Sequence, residues 1–167
     1  FAPCIPQMHV VNHFTSEVVD SAEERNVFVE SARICRGSIF DLDALNEKDF
    51  DAIVFPGGFG CAKNLSDFAV KGAELTVQED VERAMLAFHD AKKPVGMLCI
   101  SPVIAAKVFP GVTITLGQEE EMDGKWPFAG ASGAAKLLGA THVPTEVGEV
   151  CYDEINKVIS APAFMCE

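Results

Sequence analysis

A chain of 167 residues, 49% apolar and 23% charged, has the length and balance of one globular domain able to bury a core. Its formal net charge of -12, with no basic stripe anywhere, argues against nucleic acid or an anionic membrane surface as partner. No apolar run approaches the ~20 residues that a membrane-spanning helix needs.

Residues 1–20 read as irregular chain, with His9 and His13 embedded in "QMHVVNHFTSE". Ser21-Ala22-Glu23-Glu24 has capping-box spacing and Gly37 a stop; between them Val27, Ser31 and Ile34 share one helical face. "FDAIVFPGG" predicts a short buried strand broken at Pro56-Gly57-Gly58. Thr76 to Glu79 is a second capping box, opening a helix with Val77, Val81, Ala84 and Phe88 on its inner face. "KPVGMLC" is the next buried strand, after which Pro102 suits the first turn of a helix. "GVTITLG" alternates like a strand, a long polar loop follows, and 131–138 reads as a short helix. "VGEVCYDEINKVISAP" predicts a hairpin turning at Asp153 to Asn156.

Strands alternating with helices imply an α/β sandwich on a mainly parallel sheet, whose sites form beyond the carboxyl ends of the strands. Two such ends carry unusual chemistry: Pro56-Gly57-Gly58 after one strand and Cys99 after the next, so the two should be spatial neighbours. A sharp strand-to-helix turn holds its corner residue outward, as in a nucleophile elbow. A thiol there faces helix N–H groups that favour an anionic sulfur. The N–H groups of Gly57, Gly58 and Ile100 would form an oxyanion hole, glycine permitting close approach of a substrate. The competing reading of Cys99 is a buried, inert thiol, and the residues alone leave the two level.

Six cysteines (4, 35, 61, 99, 151 and 166) lack a CxxC pair or zinc-like spacing, which fits reduced intracellular thiols. The five besides Cys99 read as structural.

The strings "RNVFVESARICRG", "PGGFGCAKNLS", "CISPV", "TLGQEEEMDGKWPFAG" and "APAFMCE" resemble the mitochondrial ES-one proteins and their bacterial ElbB counterparts. These form a branch of the glutamine amidotransferase-like ThiJ/PfpI superfamily. The resemblance covers essentially the whole chain. It implies a flavodoxin-like three-layer sandwich with Cys99 at the elbow, a mitochondrial location, no cofactor, and a homo-oligomer. It also implies that residues 1–167 are one domain incomplete at both ends. Members begin with a further strand and helix, which carry a glutamate bonded to the elbow cysteine, and continue into a last helix. The implied activity is a glyoxalase- or deglycase-type reaction on small reactive aldehydes through Cys99. The alternatives are a redox or stress-response protein and a structural protein that merely keeps the elbow. Ile100 stands where PfpI-type peptidases place a histidine, and His142-Val-Pro-Thr-Glu146 has the wrong spacing for a glutaminase His-x-Glu. The amidotransferase label therefore describes fold rather than activity.

Other candidates carry alternatives of their own. His13, matching a histidine stretch of the family, is the preferred base or substrate contact. His89 reads as a solvated helix-end residue and His142 as structural. His9, His13, Cys4 and Glu17 match no metal-ligand spacing. Arg33 reads as a solvated ion pair with helix glutamates, with a substrate contact as the alternative. Asn64 reads as a helix cap or as a group polarising a carbonyl, near Lys63. Glu119 to Glu121 reads as a solvated run. Trp126 with Phe128 reads as a pocket cover or a subunit contact.

Overall fold

The structure is a computed structural model and describes residues 1–19 and 23–166. Near its start, β1 (Val11–Asn12) and β2 (Glu17–Val18) pair antiparallel where the sequence predicts irregular chain. Helix α1 (Val27–Cys35) is capped by Asn26, whose Oδ1 accepts from the N–H groups of Phe28 and Val29. The capping box predicted at Ser21 begins outside the described residues. Val27 is buried as its spacing predicts, but Ile34 lies on the outer side of α1 and is 85% exposed.

Strand β3 (Ile53–Phe55) ends at Pro56-Gly57-Gly58, a π-helical turn spans Cys61–Leu65, and α2 (Phe68–Lys71) follows. Helix α3 (Glu79–Asp90) starts later than its capping box implies. Thr76 is held outside the helix because its N–H donates to Asp67 Oδ1 and its carbonyl accepts from the Asp67 N–H. Gln78 caps instead, its side chain accepting from the Val81 N–H. Next come β4 (Val95–Leu98) and α4 (Pro102–Val108), with proline in the first turn as predicted. Then follow β5 (Thr113–Ile114), α5 (Gly130–Leu137) and β6 (Thr141–His142). The predicted hairpin is β7 (Cys151–Asp153) and β8 (Val158–Ala161).

The main sheet runs β3-β4-β8-β7, parallel except for the β7–β8 hairpin. The predicted neighbours β3 and β4 therefore lie side by side, with Phe55 opposite Met97. Strands β5 and β6 form a separate parallel pair, fastened to the sheet where Thr113 N–H donates to Asp153 Oδ2 and Thr115 N–H to Ser160 Oγ. Val95, Met97 and Val158 are buried in one core with Val81, Met85 and Phe88 of α3 and Val103 and Ile104 of α4. Each such buried side chain contributes about 1.5–3 kcal/mol. The opposite face presents one row in register, Val54, Gly96, Ile159 and Tyr152. Among the described residues this row lacks a full cover: Val54 is 59% exposed and Tyr152 52%. Of the three predicted layers, the described residues thus show the sheet and one helical layer over it.

Candidate functional site

Cys99 directly follows β4 and has φ 58°, the left-handed region that a residue with a Cβ enters only at a cost of about 1–3 kcal/mol. Four contacts hold it there. The Cys99 N–H donates to the Ala161 carbonyl at the end of β8, at 3.0 Å. The buried Ser101 hydroxyl lies 2.8 Å from the Leu98 carbonyl and 2.9 Å from that of Phe55, tying the ends of β4 and β3 together. The Ser101 N–H also donates to Leu98 O. On the remaining side lies Gly57, whose own φ of 85° suits glycine; a Cβ there would sit 2.7 Å from Cys99 Cβ. The corner is a fixed structure, and the sulfur is half-buried rather than sealed in.

Around the corner, the N–H groups of Gly58 and Ile100 donate to no group of the described residues, and open space surrounds the Cα of Gly58. Beyond the glycines lies Cys61. It is only 2% exposed, and burial first, with the neighbouring Cys99 second, pushes its thiol up to about 12. Cys61 thus sits in the core, as its sequence reading as a structural thiol has it, and it also feels Cys99. Cys4 and Cys35 depart from that reading, being exposed, and all six cysteines are free.

The remaining candidates fall in several places. Asn64 lies inside the π-helical turn, not at a cap; its Oδ1 accepts the Met8 N–H at 2.8 Å and so fastens the segment before β1 to the glycine loop. His13 sits on the exposed β1–β2 turn, without a hydrogen bond to Cys99, and His9 borders a surface hollow with Met8 and Val18 that Cys99 does not line. His89 is partly exposed near the end of α3, beside Asp90, and also stacks on Phe109, ring centroids 4.8 Å apart. Arg33 is exposed and pairs with Glu30, as expected.

His142 is structural: its Nε2 accepts from the Leu116 N–H, so its Nδ1 carries the proton and donates to Glu119 at 2.9 Å. Glu119 is exposed like the rest of the acidic run, and in addition pairs with His142 and Lys136. Lys136 and then His142 hold its carboxyl below the usual range. Trp126 is a core residue, fully buried and packed on Gly117, and not a pocket cover. Phe128 is the exposed partner of the pair, edge-on to Phe59 of the glycine loop at 6.2 Å, and Lys63 lies over that Phe59 ring. No spacing signal announces this aromatic contact, since residues 59 and 128 come from separate loops. Among the described residues no group of three or more His, Cys, Asp or Glu could hold a metal ion, and no helix is long and apolar enough to cross a membrane.

A mixed, mainly parallel α/β sheet with a cysteine at the strand-to-helix corner defines the class of ThiJ/PfpI-like, flavodoxin-like domains. No family model matches the chain. Over all 167 residues it is 54% identical to glutamine amidotransferase-like class 1 domain-containing protein 3, mitochondrial, of Homo sapiens, and 54% identical to ES1 protein homolog, mitochondrial, of Rattus norvegicus. It spans 62% of the length of each. A solved structure of an isoprenoid biosynthesis protein with amidotransferase-like domain, from Ehrlichia chaffeensis, superposes with a TM-score of 0.81 at 34% identity. That match covers 98% of this chain and 70% of the other. A ThiJ/PfpI domain protein from Brachyspira murdochii, at 15% identity and a TM-score of 0.50, shares the fold alone; that match covers 96% of this chain and 67% of the other. The chain belongs to the ES1 branch of the glutamine amidotransferase-like, ThiJ/PfpI-type family.

Proposed function

We propose that this chain is part of a mitochondrial enzyme of the glyoxalase or deglycase type, in which Cys99 attacks the carbonyl carbon of small reactive aldehydes without a cofactor. The mitochondrial location follows the names of the relatives. The observation that carries the reading is the left-handed Cys99 corner, held by Ser101, Ala161 and Gly57 beside two N–H groups that lack partners among the described residues. Backbone strain kept in place by surrounding contacts is characteristic of working sites. In this reading the sulfur adds to the carbonyl as a hemithioacetal, and the N–H groups of Gly58 and Ile100 receive the oxygen anion. Gly57 allows the loop to approach, and the Asn64 amide nitrogen, its oxygen being engaged, is left to face the substrate. In this reading His13 is the proton carrier.

The test is Cys99→Ser assayed with methylglyoxal or glyoxal. Turnover should vanish while Tm moves by less than about 2 °C. Equal loss of turnover in a Cys35→Ser control would sink the assignment, since Cys35 is exposed elsewhere. A redox role for Cys99 is the second reading, favoured by the buried thiol of Cys61 beside it.

We propose further that the domain is incomplete and that residues flanking these 167 cover the row Val54, Gly96, Ile159 and Tyr152. The support is the rule that parallel sheets are buried on both faces, the exposure of the row, and the greater length of the relatives. The 167-residue chain should bind a hydrophobic dye that a longer chain does not. A dimer of the 167-residue chain that stays dye-silent would instead give the face to a second copy, and with it the homo-oligomer implied by resemblance.

A further inference from the structure

The site leaves one neighbouring sulfur without a role. Cys61 has its backbone fixed on both sides. Its N–H donates to Gly58 O at 3.0 Å, and its carbonyl accepts from both the N–H and the hydroxyl of Ser66. Its side chain points inward, into the core cluster against which Cys99 packs. The loop that carries it touches the corner that carries Cys99, because Gly57 lies against Cys99 Cβ and Leu98 O. The other cysteines have different partners: Cys4 lies by Asn26, Cys166 by the Ala163 carbonyl, and Cys151 by Ser160 and Asp153. Two thiols on touching segments, one partly exposed and one buried, both packed with the same core cluster, form the arrangement of an attacking and a resolving cysteine.

We propose that Cys61 is the resolving partner of Cys99: a hydroperoxide oxidises Cys99 to the sulfenic acid, and Cys61 then closes an intramolecular disulfide. This rests on the reading of Cys99 as a reactive sulfur. In the first step the Cys99 thiolate attacks the outer peroxide oxygen, the O–O bond breaks, and the alkoxide leaves and takes up a proton. In the second, the Cys61 sulfur displaces the oxygen from Cys99, which departs as water with the proton of Cys61. Together two thiols and one hydroperoxide give one disulfide, one alcohol and one water. Burial holds the Cys61 thiol up, so the second step should quicken as pH rises.

The experiment treats the reduced chain with hydrogen peroxide, alkylates residual thiols after unfolding, and maps the peptides by mass spectrometry. The expected product is a linked pair of peptides carrying Cys61 and Cys99, two hydrogens lighter, with Cys4 and Cys35 recovered alkylated. In a Cys61→Ala variant Cys99 should pass on to the sulfinic acid instead. Wild-type Cys99 found as sulfinic acid with Cys61 still alkylatable would overturn the pairing and leave the reactive-sulfur reading standing. Cys99 left unoxidised at peroxide levels that modify exposed Cys35 would overturn both.

Discussion

Gly57 and Cys99 touch without room for a side chain between them: a Cβ on Gly57 would stand 2.7 Å from Cys99 Cβ and 2.4 Å from the Leu98 carbonyl oxygen. The glycine of one strand end is thus the floor under the corner of the next. Gly57→Ala should cost at least about 3 kcal/mol, because backbone must move and φ is positive. Gly58→Ala meets only open space and should cost about 1–2 kcal/mol, for its positive φ alone. Urea titrations of both variants, paired with the alkylation rate of Cys99, check this. Equal stability loss in the two would refute the contact argument.

Cys61 makes an alkaline prediction. Its thiol is pushed up from 9.0 to about 12 by burial and by Cys99, so the folded chain keeps a proton that the unfolded chain releases. Stability from this group is complete below pH 9 and falls between pH 9 and 12, by up to about 1.4 kcal/mol per pH unit. Cys61→Ala should flatten that slope in melts taken across the range. An unchanged slope would show that another group titrates there.

Asp153 makes the matching acid prediction. Burial raises its carboxyl, but the N–H groups of Asn156 and Thr113 and the Asn156 amide outweigh this and hold it below the usual range. Its contribution is therefore present above about pH 4, the ordinary carboxylate value, and is lost as pH falls further. Asp153→Ala should cost roughly 2–3 kcal/mol at pH 7, by stranding the β5 N–H of Thr113. It should cost much less near pH 2; a loss independent of pH would contradict the assignment.

The sequence made the core of this site legible because its signals are local. A buried apolar run ending on Cys99, a Pro-Gly-Gly break after the preceding run and a proline opening the next helix each depend on a few adjacent residues. The fold follows from the same alternation of periods. What escaped the sequence depends on distant residues meeting: the Ser101 clasp on Phe55, the Asn64 tie to Met8, the Phe59–Phe128 contact and Cys61 behind Cys99. Caps were misplaced where a side chain had a stronger partner, as at Thr76, which Asp67 claims.

Trp126 tests the distinction between volume and hydrogen bonding. It is fully buried on Gly117, where a Cβ would come within 2.2 Å of the indole, and its Nε1 has no partner. Trp126→Phe gives up an N–H that satisfies nothing and should cost less than about 1.5 kcal/mol. Trp126→Ala empties the site and should cost about 3–5 kcal/mol. Chemical denaturation of both variants decides between them, and near-equal losses would mean that the indole N–H has an acceptor.

The bond from the Cys99 N–H to the Ala161 carbonyl has a consequence for synthesis on the ribosome. The corner, at residue 99, is translated before the strand end that holds it, at residue 161. Until then Cys99 lacks one of the clasps that keep it left-handed, so a nascent chain stopped before β8 would carry the thiol without the geometry. Reactivity at Cys99, followed on stalled chains of increasing length, should switch on when Ala161 clears the exit tunnel, reporting the pairing of β8 with β4.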